Sequence, residues 1–324
     1  MKAYVYGANG AEITEVAKPA PKGPQVLVRV RACGLNRADL GMTKGHVHGS
    51  AGGAGTVLGM EWAGEIADVG PEAKGVKVGD RVMGSGSAAF AEYTLADHGR
   101  LFHIPASANM SYEDAATLPV ALATMHNAVV TNGALQPGQS VLIQGASSGV
   151  GLMALQIAKL KGAKIVIGSS TDATRRGRLK EFGADLAVDS SDPGWVDQVL
   201  EATGGEGVDL IVDQVSGKVA SQNLAATRIK GRIVNVGRLG GTHADFNFDL
   251  HAARRITYIG VTFRTRSIEE IREIFGEVKK DIWGAVEQRR LQLPIDKVFA
   301  FDEIGKAFEH MEANKHLGKI VVTL

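Results

Sequence analysis

The chain of 324 residues has a single cysteine, Cys33, and a formal net charge of only +1. One thiol excludes an intramolecular disulfide framework and any cysteine-rich zinc knuckle. Near-neutral charge, with no basic stripe, gives no footprint for nucleic acid, so no nucleic-acid partner is expected. The opening residues Met1-Lys-Ala-Tyr-Val-Tyr6 read as a strand rather than as a charged segment leading into an apolar core. No apolar run is long enough to span a bilayer, so a soluble, cytoplasmic protein without a membrane partner is expected.

What the chain has in quantity is glycine, 41 residues, much of it at turns between short apolar runs. Residues 1 to about 100 turn often, in the manner of a strand-rich domain. Gln25–Ala32 alternates apolar and basic residues, and Glu65–Val69, Arg81–Met83 and Ala88–Ala96 follow as strand-like segments. Between them, Thr43–Thr56 lacks periodicity and reads as an exposed loop. Ser111 followed by Asp114 marks a helix start, and a second helix is expected from about Val120 to Asn132.

After Gln136-Pro-Gly138 the pattern becomes strict strand–helix alternation. The strands expected are Val141–Gln144, Lys164–Gly168, Leu186–Asp189, Val208–Asp213, Arg232–Val236 and Ile256–Val261. Helical spacing fills Gly149–Lys161, Asp172–Phe182, Pro193–Thr203 and Lys218–Thr227. Buried apolar strands alternating with helices imply a doubly wound parallel sheet of the Rossmann type. A long amphipathic helix (Ser267–Glu287), a strand (Lys297–Phe301), a helix (Asp302–Ala313) and a last strand (Gly318–Leu324) cannot extend that sheet as strand–helix–strand units. They are expected to return to the first domain.

The first strand of the alternating region ends in Gly145-Ala-Ser-Ser-Gly-Val-Gly151, a turn of small residues opening a helix. Such a turn lets a phosphate approach bare backbone at the positive end of a helix. At the tip of the second strand, Ile167-Gly-Ser-Ser-Thr171 carries no acid to hold ribose hydroxyls. Arg175, Arg176 and Arg178 follow, and guanidinium beside hydroxyls suits a 2′-phosphate. NADPH is therefore the expected cofactor. Asp172 would serve NAD if it were the displaced acid, but it sits better as the N-cap of the following helix.

Asn36-Arg-Ala-Asp39, Gly59-Met-Glu-Trp-Ala-Gly-Glu65, Leu118-Pro119 with Thr124, the Gly145–Gly151 turn and Leu317-Gly-Lys-Ile-Val-Val322 resemble, in order and spacing, the medium-chain dehydrogenase/reductase superfamily. Within it, the chain is most similar to the zinc-independent quinone oxidoreductase branch, the zeta-crystallin-like proteins. The resemblance implies an α/β architecture: a GroES-like β-rich catalytic domain (1–122 and 264–324) and a Rossmann NADPH-binding domain (123–263). It places Asn36, Asp39 and Thr124 about the nicotinamide as catalytic residues. Ser147, Ser148, Gly149 and Val150 would meet the pyrophosphate, and Ser170 and Arg175 the 2′-phosphate. Asp213, Gln214, Val236, Gly237, Phe263 and Arg264 would complete the cofactor site.

The zinc alcohol dehydrogenases of that superfamily have cysteine where this chain has Asn36, and Gly-His-Glu where it has Gly59-Met60-Glu61. Asn and Met are poor zinc ligands, so no metal is expected. Without a Lewis acid to stabilise an alkoxide, activated acceptors remain, namely quinones and enones. The expectation is a zinc-independent NADPH:quinone oxidoreductase acting as a homodimer. Enoyl thioester or 2-alkenal reduction, or a non-enzymatic NADPH-binding role, are the alternatives. Two departures from the branch stand out: Ser190 replaces a frequent tyrosine, and Gly45-His-Val-His48 replaces a frequent aromatic. His46 or His48 is a candidate general acid.

Overall fold

Ser140–Gln144 is a strand in which every residue is buried, so it has no solvent face and must lie inside a sheet. The computed structural model, which describes residues 1–49 and 51–324, places it there. The chain forms two compact units, residues 1–123 with 263–324, and residues 124–262.

The second unit is built on six parallel strands. Their spatial order is Leu186–Val188, Ile165–Ser169, Ser140–Gln144, Val208–Asp213, Thr227–Asn235, Thr257–Gly260. Read by position in the chain this is 3-2-1-4-5-6, an order of the doubly wound dinucleotide fold expected from the alternating pattern. Its core packs Leu142, Ile167, Ile211 and Ile233 of the sheet against Trp195 and Val199 of the Trp195–Ala202 helix.

The first unit is organised by the ten-residue strand Gln25–Gly34. One edge of it pairs with Glu61–Val69. The other edge is shared: Gln25–Arg29 pairs with the Tyr93–Asp97 strand, and Ala32–Gly34 with the Lys319–Thr323 strand. Ile295–Ala300 continues the sheet beyond Lys319–Thr323, while Arg81–Ser85 and Leu101–His103 extend the opposite side. Trp62, Phe90, Val28 and Ile320 lie in its core. No helix of the described residues is long and apolar enough to cross a membrane.

Several elements differ from their expected bounds. The helix Pro119–His126 gives way to a π-helical stretch, Asn127–Asn132, where the Asn132 side-chain Nδ2 donates to Asn127 O at 2.9 Å. The segment expected as one helix over Asp172–Phe182 is a short helix, Ala173–Gly177, followed by a 3-10 turn. Ser267–Glu287 breaks at Ile282 into Ile268–Asp281 and Trp283–Glu287. Ile282 there is buried and the Trp283 ring stacks on Phe102 at 4.9 Å, so packing overrides helical continuity. The fifth parallel strand starts at Thr227, not Arg232, with a register shift opposite Val208–Leu210. Within Ala88–Ala96 only the end is ladder strand, because Ala88 takes φ +59°. A helix at Phe248–Arg254, capped by Asn247, carries no expected counterpart. The loop expected over Thr43–Thr56 holds a two-residue pairing of Val47–His48 with Ala51–Gly52, and Ser50 lies outside the described residues.

Trp195 is fully buried in the second unit. Trp195→Ala leaves a cavity that neighbouring side chains cannot fill, and should lower unfolding free energy by about 3–5 kcal/mol in urea titrations. A loss below about 1 kcal/mol would contradict the packing described.

Candidate functional site

Asn36 precedes the six-residue helix Arg37–Met42, and its backbone N–H donates to Asp39 Oδ2 at 2.7 Å. Asp39 thus caps the helix start and leaves the Asn36 side chain available. Asn36 Nδ2 donates to Glu61 Oε2 at 3.0 Å, and Asn36 Oδ1 accepts from Lys319 Nζ at 3.0 Å. Lys319 Nζ also pairs with Glu61 Oε2, and Glu61 Oε1 accepts from Val120 N at 2.7 Å. Both charged side chains are nearly inaccessible, 4% for Lys319 and 0% for Glu61. Gly34 makes room for them: a Cβ there would lie 2.9 Å from Glu61 Oε2 and 2.3 Å from Ala116 O. Removing one partner of such a pair would strand the other without solvent.

Asp39 is fully buried, and its Oδ1 has no hydrogen-bond partner among the described residues. Burial raises its pKa from 3.8 to about 7; Glu61 adds to the rise, and the hydrogen bond from Asn36 and the Lys319 charge oppose it. His48 moves the other way. Its burial, and then the Arg264 charge, lower its pKa and so disfavour the protonated form near neutrality. His46 is exposed. Among the described residues no group of three His, Cys, Asp or Glu could hold a metal ion.

In the second unit, Ser148 caps the twelve-residue helix Gly149–Leu160, its Oγ accepting from Gly151 N at 3.1 Å. A Cβ on Gly151 would fall 2.6 Å from Gly145 O, so the helix start and the turn can meet only at a glycine. Gly145 itself takes φ +74°. None of the turn or cap hydrogen bonds uses the amides of Gly149 or Val150. Bare amides at the positive end of a helix fit a pyrophosphate. Ser170 Oγ donates to Ser147 Oγ at 3.0 Å, bringing two expected phosphate residues together. Of the three arginines, Arg176 is held by Asp189 at 2.9 Å and Arg178 by Glu181 at 2.9 Å. Arg175 lies beside Asp172, whose carboxylate accepts from Arg175 N as N-cap.

Asp213 faces inward. Its Oδ1 accepts from Val215 N and Ser216 N at 2.8 and 2.9 Å, and its Oδ2 from Asn223 Nδ2 at 3.0 Å. Burial raises its pKa, against those hydrogen bonds. Asn223 Oδ1 in turn accepts from Gln144 Nε2 at 2.9 Å, and Gln144 Oε1 from Ser169 Oγ at 2.6 Å. This buried chain fixes the strand ends beneath the glycine turn. Gln214 Oε1 lies 2.9 Å from Ser148 Oγ. Val236 N and Gly237 N donate to Asp213 O, so these expected cofactor residues gather around Asp213. Thr124 is half-buried on the Pro119–His126 helix and is the first residue of the second unit. Phe263 and Arg264 open the returning segment of the first unit, where Arg264 O approaches Gly49.

Sequence reasoning passed over Glu61, Lys319, Gln144, Ser169, Asn223 and Ser216. A signal existed for one: Gln144 is the polar end of an otherwise apolar strand core. Ser216 holds an uncommon backbone conformation, φ 58° and ψ −134°, secured by its amide on Asp213 and its Oγ donating to Gly237 O at 2.6 Å. Strain of this kind gathers at ligand sites.

The Asp39 shift has a testable sign. The folded chain keeps this proton to about pH 7 whereas the unfolded carboxyl releases it near 3.8, so folded Asp39 binds more proton in between. Its contribution to stability is therefore full at acid pH and is lost as pH rises through that window. Asp39→Asn keeps an acceptor for Asn36 N and should flatten the fall in unfolding free energy between about pH 4 and about pH 7. An unchanged slope would place the titration elsewhere.

Residues 22–106 match the alcohol dehydrogenase GroES-like domain family, and residues 149–280 the zinc-binding dehydrogenase family. Quinone oxidoreductase-like protein 2 of Mus musculus is 31% identical over 315 residues, covering 96% of this chain and 88% of that protein. A phenolphthiocerol/phthiocerol polyketide synthase of Mycobacterium tuberculosis is 31% identical over 318 residues, covering 98% of this chain. This chain spans only 14% of that synthase's length. The structure is also similar to the CurK enoyl reductase, with a TM-score of 0.87, 26% identity and 99% of each chain covered. Sequence and architecture together place the chain in the medium-chain dehydrogenase/reductase superfamily, among its quinone oxidoreductase-type proteins.

Proposed function

We propose that this chain is a zinc-independent reductase that uses NADPH to reduce a quinone or a similarly activated enone. The observation that carries the reading is the Lys319 ammonium bonded to both Asn36 and Glu61. Asn36 and Met60 stand where zinc-dependent relatives carry ligands, and a buried cation tethered to the chain already neutralises the carboxylate there. A divalent ion would have to displace it. NADPH, when bound, supplies the hydride.

The chain's own residues then bind and orient. Ser147 and Ser148 and the amides of Gly149 and Val150 receive the pyrophosphate, while the Ser170 hydroxyl and Arg175 discriminate for the 2′-phosphate. Asp213 holds the Val215–Ser216 turn from within. Asp39 keeps a proton on its carboxyl up to about pH 7, within range of the operating pH for a proton store. The Thr257–Gly260 strand ends the parallel sheet. We read its open edge as the contact of a homodimer, which light scattering would test.

A second reading, reduction of an enoyl thioester, is favoured by the similarity to the synthase and to the CurK enoyl reductase. Steady-state assays with p-benzoquinone, phenanthrenequinone and crotonyl-CoA separate the two. We expect quinone turnover with NADPH, insensitive to chelators, and kcat/KM for NADPH at least roughly tenfold above that for NADH, about 1.4 kcal/mol. Arg175→Met should raise KM for NADPH without changing that for NADH. Faster turnover of crotonyl-CoA would move the assignment to the thioester, and no NADPH oxidation with any acceptor would sink both readings.

A further inference from the structure

A cavity of about 640 Å³, open to solvent, is lined by residues of the first unit only, and Asn36, Asp39 and Lys319 are not among them. Its walls are the Lys22–Gln25 turn, the Ser85–Ser87 segment, the stretch from Leu95 to Arg100 and the start of the Ile268–Asp281 helix. A volume of this size matches small-molecule sites rather than water pockets. The charges in the wall are Lys22, Arg100, Arg272 and Asp97.

Those charges are not balanced. Asp97 is consumed by Arg272, which grips it through Nε at 2.9 Å and Nη2 at 2.6 Å, while Gly99 N adds a third bond at 2.8 Å. Gly99 must lack a side chain for this, since a Cβ would fall 2.5 Å from Arg272 Cγ. Arg100 is left over. Its Nε is buried without a partner, and no hydrogen bond or ion pair to its guanidinium exists among the described residues. Burial lowers its pKa and Asp97 only partly restores it. A guanidinium drawn out of water, with five donors and no acceptor, is costly unless something supplies one. Lys22, at the rim, is exposed, and Ser85 adds a hydroxyl to the wall. Asp97 apart, the acids on neighbouring positions are Glu269, on the first helical turn beside Arg272, Glu72, against Gly23, and Glu61, across the ladder from Ser85 and already paired with Lys319; none of them lines the cavity.

We propose that this cavity is a binding site for a phosphate monoester, with its dianionic head on Arg100 and Lys22 and its organic part in the remaining space. The wall has a surplus of two positive charges over Asp97, which a phosphate dianion neutralises. Guanidinium meets phosphate oxygens through paired, charge-assisted bonds. A carboxylate would leave one charge uncompensated. The volume exceeds what inorganic phosphate needs, which points to an ester. The site shares no residue with the nucleotide cradle or with the Asn36, Glu61 and Lys319 cluster.

Titration calorimetry of the whole protein, saturated with NADPH, would use glycerol 3-phosphate and inorganic phosphate as probes at constant ionic strength. Saturable binding of glycerol 3-phosphate is expected, tighter than inorganic phosphate. Arg100→Met and Lys22→Met should each weaken it about tenfold or more, and Arg175→Met should leave it unchanged. Folding of the variants is not at risk: Lys22 is exposed, and Arg100→Met removes an unpaired charge from the wall. Its melting temperature without phosphate should equal or exceed the parent's, whereas phosphate should stabilise the parent alone. No saturable binding in the millimolar range, binding untouched by both substitutions, or binding lost only in Arg175→Met would overturn the proposal. Inorganic phosphate binding as tightly as the ester would also count against the ester assignment.

Discussion

A lysine ammonium and a glutamate carboxylate share a site from which water is excluded, and the first unit is arranged to make that tolerable. Removing each ion from water costs several kcal/mol, on the order of the whole stability of a domain. Recovery depends on geometry and on further hydrogen bonds. Lys319 therefore reaches Glu61 and Asn36 together, Glu61 accepts an amide from Val120, and Gly34 withdraws its side chain from the space between. Asp39, a few residues away, receives only part of that positive charge. Its proton is the mark of an incomplete neutralisation.

The second unit buries a single carboxylate and satisfies it with neutral donors. Ser169, Gln144, Asn223 and Asp213 form a buried chain of hydrogen bonds under the glycine turn, ending on the amides of Val215 and Ser216. Networks of this kind hold strand ends in one arrangement because every member would lose a partner if one moved. The unusual backbone at Ser216 is retained by the same network. Rigid strand ends beneath, and uncommitted amides at Gly149 and Val150 above, are what a site for a flexible charged ligand requires.

The parallel sheet was legible in the sequence because strands buried on both faces have to be apolar runs alternating with helices, whereas their spatial order, 3-2-1-4-5-6, is a property of the fold that alternation alone does not fix. The proximity of Asn36 and Asp39 was legible for a local reason, three residues apart at a helix start. Lys319 was not, since nothing in the sequence measures a contact across 283 positions. Nor was the inward turn of Asp213: a strand-end carboxylate reads the same whether it serves a ligand or the next two amides. The break at Ile282 escaped because amphipathic spacing continues through it, and only the stacking of Trp283 on Phe102 decides the bend. The surplus charge of Arg100 was equally hidden, being defined by what Arg272 takes from Asp97.

The bond between Asn36 and Lys319 also has a meaning in time. Chains emerge from the ribosome at about 5–20 residues per second. With 283 positions between the two partners, roughly 15–60 s separate their synthesis. Throughout that interval Glu61 has no ammonium, and the Ala32–Gly34 end of the central strand has an unpaired edge that Lys319–Thr323 will later cover. Until then the first unit keeps an unpaired acid and an open sheet edge, and the Lys319–Thr323 strand is the closing stitch.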